Sequence, residues 1–284
     1  MILIADGGST KTTWCLVDAH ASRSLFHTEG YNPEFIDTPG IIASLRRSLP
    51  ATLAPGAITK VYYYGASVVS APQVATVADA MRAVFGQAQV FVGHDLLAAA
   101  RALLGKQPGF AAILGTGTNS CVYDGAGITH NVDSLGYFLG DEGSGAFLGK
   151  ALLRDYLRGD MPASLAAEFR TAYGLERDEI LDRLYNQPFP NRFIASFAKF
   201  ANDHYQEDYC QQLVAEAFDL FFRNIIKKYP NYQAHTFNCV GSVGYNFREA
   251  LAQAAATHGM RVGKIIRSPI DDLVSYHLDE YKND

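Results

Sequence analysis

The sequence predicts an α/β protein of two similar lobes, and three observations carry that expectation. Its 284 residues, 48% hydrophobic and 19% charged, can bury a sizeable core and exceed what a peptide or disulfide-stapled miniprotein needs. Short β-type apolar runs alternate with segments of helical periodicity through the first hundred residues. A third pattern, an apolar run followed by a Gly-rich turn and a second strand, occurs twice at domain-length spacing, which is an internal repeat.

Residues 2 to 5 (ILIA) read as a strand, DGGSTK as a tight turn and TTWCLVD as the returning strand, because β-branched and aromatic side chains fill it. From residue 110, FAAILGTGTNSCVYDG does the same, and aligning Asp6 with Gly115 separates the two openings by 109 residues. Between them the pattern predicts a strand at 60–65, a helix at 73–85, a strand at 89–93 and a helix at 95–104 stopped by Gly105. Helices follow at 142–158, 162–173, 177–185, 190–203 and 207–229, the last closed by Pro230. A strand at 236–240, the turn GSVGYN, a helix at 247–257, a strand at 262–267 and a helix at 270–281 complete the chain. The first lobe is expected over 1–108, rejoined by a C-terminal helix at 269–284, and the second over 109–268 with a helical insertion.

Composition excludes several functions. The formal charge of −5 comes with no Lys/Arg stripe, so nucleic acid is not an expected partner. Cys15, Cys121, Cys210 and Cys239 stand singly, with no CxxC pair and no metal-ligand spacing, which predicts neither zinc site nor disulfide and fits a reducing cytoplasm. No basic, apolar leader opens the chain and no window reaches the roughly 18 apolar residues of a membrane span, so no membrane association is expected.

The Gly-rich turns carry the chemistry. GGSTKTT is not a P-loop, because Thr10 precedes Lys11 where that motif needs Gly and a strand follows where it needs a helix. GTGTNS from Gly115 lacks the third Gly of a dinucleotide fingerprint and again runs into a strand. A β-turn-β rich in small residues can still bind phosphate, since Gly permits close backbone approach and successive N–H groups and hydroxyls converge on the anion. Two ordinary hairpin turns are the plainer reading.

Two such turns in a repeat, the first led by Asp6, resemble the phosphate-1 and phosphate-2 loops of the sugar kinase, Hsp70 and actin superfamily. SLGYFLGDEGSGAFLG at 134–149 resembles the GDEGS signature of the N-acetylglucosamine kinases and the BadF/BadG/BcrA/BcrD ATPase family, and FNCVGSVGYNF at 237–247 resembles the adenosine motif. The resemblance implies an actin-like ATPase fold, two ribonuclease-H-like lobes about a central cleft, with ATP and Mg2+ as cofactors. It assigns Asp6 to the magnesium ion through water and Gly8, Ser9, Thr10, Lys11 and Thr12 to the transferring phosphate. Thr116, Gly117 and Thr118 fall to the β and γ phosphates, and Gly241, Ser242 and Gly244 to the nucleoside. For an amino sugar it implies Asn32, Asn119, Ser120, Asp141, Glu142 and Gly145. Phosphoryl transfer needs mainly positioning, a divalent cation and a base for the incoming hydroxyl.

Asp95 is the expected base. It sits where an apolar strand passes into a helix, the carboxyl edge at which open α/β sheets bind ligands, and the helix N-terminus is expected to keep it ionised. Simple N-capping is the alternative role. The resemblance places the family's catalytic Asp at this point of the chain. Adjacent residues at such a junction are expected to point apart, which leaves His94 a packing or surface role. Capping likewise competes with ligand binding for Asp141 and Glu142, and Asn32 in EGYNPEF lies in a standard turn sequence. Phe218, Phe221 and Phe222 at helical spacing read as core, and Lys227 and Lys228 as cations suited to a helix C-terminus.

The expected activity is ATP-dependent phosphorylation of the 6-hydroxyl of N-acetylglucosamine or a near relative, with glucosamine or N-acetylmuramic acid as alternative acceptors. An ATPase activator of a partner protein is the rival, and the scattered cysteines speak against its iron-sulfur branch. Asp271 and Asp272 stand where the superfamily's second connecting helix shows a small Gly-Ala pair, and that segment is expected to return to the first lobe. Apolar helix faces in the second lobe would allow a homodimer.

Overall fold

The structure, a computed structural model, describes residues 1–8 and 10–281, with only the backbone of 280 and 281. The chain divides into two compact units, 1–107 with 268–284 and 108–267.

In the first unit Ile2–Gly7 (β1) and Lys11–Val17 (β2) form the expected antiparallel hairpin, with Gly7 opposite Thr12. A further strand, Arg23–Glu29 (β3), pairs along all of β2. Sequence reasoning passes over it because its RSLFHTE buries only Thr28 and therefore lacks alternation. Thr38–Ser48 (α1) is also unanticipated, although Asp37 caps it by accepting from the Gly40 amide and Ile41 and Leu45 recur at helical spacing. Lys60–Gly65 (β4), Ala71–Phe85 (α2), Gln89–His94 (β5) and Asp95–Leu104 (α3) follow as the periodicity predicts. The helix α2 starts at a capping box in which Ser70 and Gln73 satisfy each other's backbone amides.

The second unit opens with Gly109–Leu114 (β6), Thr118–Tyr123 (β7) and Ile128–Asn131 (β8), the last fully exposed and missed for the same reason as β3. Its helices are Gly136–Leu139 (α4), Gly145–Arg158 (α5), Ala163–Tyr173 (α6), Arg177–Tyr185 (α7), Pro190–Ser196 (α8), Ala198–Asp203 (α9) and Asp208–Asn224 (α10). The helix expected over 190–203 is thus two, and the one expected from 142 starts at Gly145, since Asp141 (φ 58°) and Gly143 (φ 79°) hold left-handed backbone. Thr236–Val240 (β9), Ser242–Asn246 (α11), Arg248–Thr257 (α12) and Arg261–Ile266 (β10) finish the unit, and GSVGYN is mostly helix where a turn was expected. Ile270–Tyr281 (α13) belongs to the first unit.

The repeat is topological as well as local. The sheets run β3-β2-β1-β4-β5 and β8-β7-β6-β9-β10, each with an antiparallel meander followed by two parallel strands. In the first unit Leu3, Ala5, Trp14 and Tyr63 pack toward α1 and α2, while Ile2, Ile4, Cys15 and Tyr64 pack toward α3 and α13. Ala98 and Ala102 keep α3 small where Ile270, Leu273 and Val274 of α13 lie against it, each large apolar side chain so buried being worth about 1.5–3 kcal/mol. Asp271 and Asp272 fall in the first turn of α13, where carboxylates favour the dipole, so the small pair is not needed to seat this helix. Phe218, Phe221 and Phe222 are fully buried in the second unit's core. Among the described residues no helix is long and apolar enough to cross a membrane.

Candidate active site

Parallel pairing brings the ends of three strands level: Gly7 of β1 lies beside Gly65 of β4, and Gly65 beside His94 of β5. That carboxyl edge is where open α/β sheets recruit ligands, and here it carries Asp6, the first Gly-rich turn and Asp95. The turn closes through the Gly8 amide, which donates to the Lys11 carbonyl at 3.0 Å, while Thr10 accepts from the Gly30 amide at 3.1 Å. Gly7 has no room for a side chain, since a Cβ there would stand 2.6 Å from Tyr63 Oη and 2.9 Å from the Tyr64 carbonyl. Gly8, Thr10 and Lys11 are exposed; Ser9 lies outside the described residues. Thr12 corrects the sequence reading: the period of two turns it inward, it is fully buried, and its hydroxyl donates to the Glu29 carbonyl.

Asp6 shares the α3 face of the sheet with Ile4, two residues earlier. Burial, then the neighbouring Asp95 charge, pushes its carboxyl up to about 7, with Lys11 pulling the other way. Asp95 stands at the first position of α3, and 24% of its side chain remains exposed. Three expectations fail here. His94, not Asp95, is the N-cap, its Nδ1 accepting from the Leu96 amide at 3.3 Å. The helix N-terminus also does not win: burial raises the Asp95 carboxyl, although His94 and the Leu96 and Asp95 amides lower it. The two side chains do not point apart either, since His94 Nδ1 lies 3.2 Å from Asp95 Oδ1, an atom sealed from solvent without a hydrogen-bond partner. Tyr63 Oη beneath the turn is likewise sealed and unpartnered. His94 was read from sequence only as a packing or surface residue, and Tyr63 was not singled out.

The second unit repeats the edge with different bracing. Gly115, Thr116 and Gly117 form the turn after β6, and the first amides of α5 hold it, Gly145 donating to the Gly115 carbonyl at 2.8 Å and Ala146 to that of Thr116 at 3.0 Å. Asp141 lies under the turn. Its Oδ1 accepts from the Thr118 amide at 3.1 Å, and the Thr118 hydroxyl donates to the Asp141 and Glu142 carbonyls. Burial raises the Asp141 carboxyl, and the Thr118 amide is first among the groups that lower it. Gly241 (φ 132°) must be Gly, because a Cβ would sit 2.3 Å from the Leu114 carbonyl; Ser242 beside it is exposed and Gly244 is buried against Cys239.

The residues expected around a sugar fare unevenly. Ser120 is fully buried with its Oγ 2.9 Å from Tyr229 Oη, and alternation along β7 turns it from Asn119, so the two cannot face one ligand. Gly145 is buried with its amide engaged. Asp141 and Thr118 brace the loop instead of standing open to a ligand. Glu142 is half-buried and accepts from Asn224 Nδ2. Asn32 Oδ1 accepts from the Glu34 amide in the turn its sequence suggests, and Asn119 Oδ1 accepts from the Ser120 amide and Asn131 Nδ2. The four cysteines are buried and unpaired.

No family model matches the chain, and no curated protein does. Solved structures do. A candidate N-acetylglucosamine kinase from Porphyromonas gingivalis is 39% identical, spans 99% of this chain and 100% of its own, and superposes with a TM-score of 0.94. A second candidate N-acetylglucosamine kinase, from Chromobacterium violaceum, is 16% identical over 97% of this chain and 98% of its own, with a TM-score of 0.73. A ROK family glucokinase from Streptomyces griseus, solved with glucose and AMPPNP, is 16% identical over 96% and 97%, with a TM-score of 0.55. These two share the fold, an actin-like ATPase architecture of two α/β units. By its full-length identity to the first, and by its fold, the chain belongs to the N-acetylglucosamine kinase-like family of the actin-like ATPase superfamily.

Proposed function

We propose that this protein is an ATP-dependent sugar kinase acting on the 6-hydroxyl of N-acetylglucosamine or a closely related amino sugar. One observation carries the reading: a carboxylate at the head of α3, Asp95, stands at the same strand edge as Asp6 and the first Gly-rich turn, close enough to raise the Asp6 carboxyl. A base and a phosphate loop on one edge are what hydroxyl phosphorylation requires. The family relative from Porphyromonas gingivalis, designated a candidate N-acetylglucosamine kinase, supports the substrate class.

In this reading the first unit's Gly-rich turn, Gly8, Ser9, Thr10 and Lys11, binds phosphate. Taken by itself, the second unit offers a like turn in Gly115, Thr116 and Gly117, with Gly241 and Ser242 suited to a nucleoside. Asp95 accepts a hydrogen bond from the sugar O6 hydroxyl and orients it in line. As the O6–Pγ bond forms, the bond from Pγ to the β,γ-bridging oxygen breaks, ADP leaves with its electron pair, and the hydroxyl proton passes to the Asp95 carboxylate. Burial makes that carboxylate a better proton acceptor than one in water.

The two adjacent carboxylates, with the sealed and unpartnered Asp95 Oδ1, fit a divalent cation. Among the described residues no cluster of three or more His, Cys, Asp or Glu is poised to hold a metal; Asp6 is the residue that would hold Mg2+, through water. When bound, that ion neutralises charge on the phosphates. Measuring ADP release over N-acetylglucosamine, glucosamine and N-acetylmuramic acid, with the phosphorylated position read by NMR, tests the assignment; no turnover on any of the three would reject it.

A further inference from the structure

The first unit's sheet ends on a strand that no described strand pairs on its outer side. β3 is terminal in the order β3-β2-β1-β4-β5, and its seven residues, RSLFHTE, pair along β2 without a register shift. Thr10, accepting from the Gly30 amide, sets the phase of that ladder. Ser24, Phe26 and Thr28 turn their amides and carbonyls toward β2, and Arg23, Leu25, His27 and Glu29 turn theirs outward. Sheets commonly blunt such an edge with a bulge, a proline or a short strand. The second unit's sheet does so at both ends, since β8 has four residues and both β8 and β10 pair through register shifts. β3 has neither bulge nor proline, its two charges stand at its ends, and Leu25 between them is 56% exposed.

Those charges decide what fits the edge. A second copy of β3, laid antiparallel about a two-fold axis at Phe26, overlaps over the whole strand, and only in that register. It sets Arg23 opposite Glu29, Leu25 opposite His27 and Phe26 opposite Phe26. The outward-facing residues then fall in the hydrogen-bonded pairs, as an antiparallel ladder requires. Opposite residues share a face of the sheet, so an Arg23 guanidinium meets a Glu29 carboxylate twice by symmetry. The contacts these side chains make within one copy exchange easily: Arg23 Nη2 lies 3.4 Å from Ser275 Oγ and Arg47 Nη2 3.4 Å from Glu29 Oε1, both in solvent. The Glu29 carbonyl already accepts from the Thr12 and Thr28 hydroxyls, so at each end the Glu29 amide alone extends the ladder, and Leu25 and His27 carry its middle. The opposite edge of the sheet, β5, has no Asp, Glu, Lys or Arg to match to itself.

We propose that this protein self-associates through β3: two first-unit sheets join edge to edge across a two-fold axis, and the Arg23–Glu29 pairs set the register. One strand edge buries little surface, so the association is weak and reversible. It stands independently of the activity proposed above.

Sedimentation velocity of the full chain from about 1 to about 500 μM should show monomer passing into dimer. Arg23→Glu or Glu29→Arg sets like charges opposite one another at both ends, and each should raise the dimer dissociation constant at least about tenfold. The double variant Arg23→Glu/Glu29→Arg restores opposite charges and should return to within about threefold of wild type. Leu25→Pro removes an outward amide that the strand's own ladder does not use; it should abolish the dimer, with circular dichroism and melting temperature showing the fold kept. If that variant unfolds, the charge swap, made on exposed side chains, still decides the matter. A wild type that stays monomeric throughout the range, folded single variants that dimerise like wild type, or a double variant no tighter than either single would overturn the proposal.

Discussion

Replacing Asp6 with Asn should stabilise this protein while abolishing its chemistry. Burial and the Asp95 charge move the Asp6 carboxyl from its ordinary 3.8 to about 7, so between roughly pH 4 and 7 the folded chain holds a proton that the unfolded chain has released. Stability from this group is therefore full below pH 4 and declines as pH rises toward 7. At 1.36 kcal/mol per pH unit the whole displacement is worth about 4 kcal/mol, and partial exposure together with coupling to Asp95 reduces this to about 2. Asn removes the ionisation and keeps the shape. Urea denaturation of wild type and Asp6→Asn at pH 4, 6 and 8 should show coincident curves at pH 4 and a gap opening to about 2 kcal/mol at pH 8, or roughly 4–8 °C in Tm. A variant less stable than wild type at pH 8 would refute the reasoning, because it would mean the carboxylate is well compensated in the absence of ligand. That trade of stability for function is what the role proposed for Asp6 entails.

Two further outcomes follow from contacts at the same edge. Gly7→Ala should destabilise the first unit by about 2 kcal/mol or more, since the new methyl meets Tyr63 Oη and the Tyr64 carbonyl, whereas Gly8→Ala, with only the Lys11 carbonyl at 3.5 Å, should fold normally; equal melting temperatures for the pair would count against this packing. Tyr63→Phe removes a sealed, unpartnered hydroxyl and should raise stability by about 1 kcal/mol, and a loss of that size in calorimetry would show the phenol to be bonded.

The architecture was legible where a strand or helix has one buried face. Both hairpin openings could be read from alternation around Gly-rich turns, and the shared strand order bears out the repeat they suggested. What escaped were elements with little to bury: β3 hides only Thr28 and β8 nothing. At the candidate site, residue type marked segments but not the direction of each side chain. Thr12 and Ser120 lie in the Gly-rich hairpins and still face the interior, because a strand turns alternate residues to opposite faces. Asp141 looked open between two Gly residues, yet its left-handed backbone turns the carboxylate onto the Thr118 amide. His94 and Asp95 were expected to diverge as chain neighbours, but the cap geometry brings Nδ1 and Oδ1 to 3.2 Å, a detail of backbone dihedrals that residue identity does not encode.

The most direct test is ADP release by wild type and Asp95→Asn with N-acetylglucosamine as acceptor, with sugar affinity followed separately by calorimetry. Wild type should form N-acetylglucosamine 6-phosphate in step with ADP. The variant should bind the sugar with unchanged affinity and turn over at least a hundredfold more slowly, the scale of a lost general base. Undiminished turnover by Asp95→Asn, or nucleotide hydrolysis by wild type that ignores the sugar, would contradict the account.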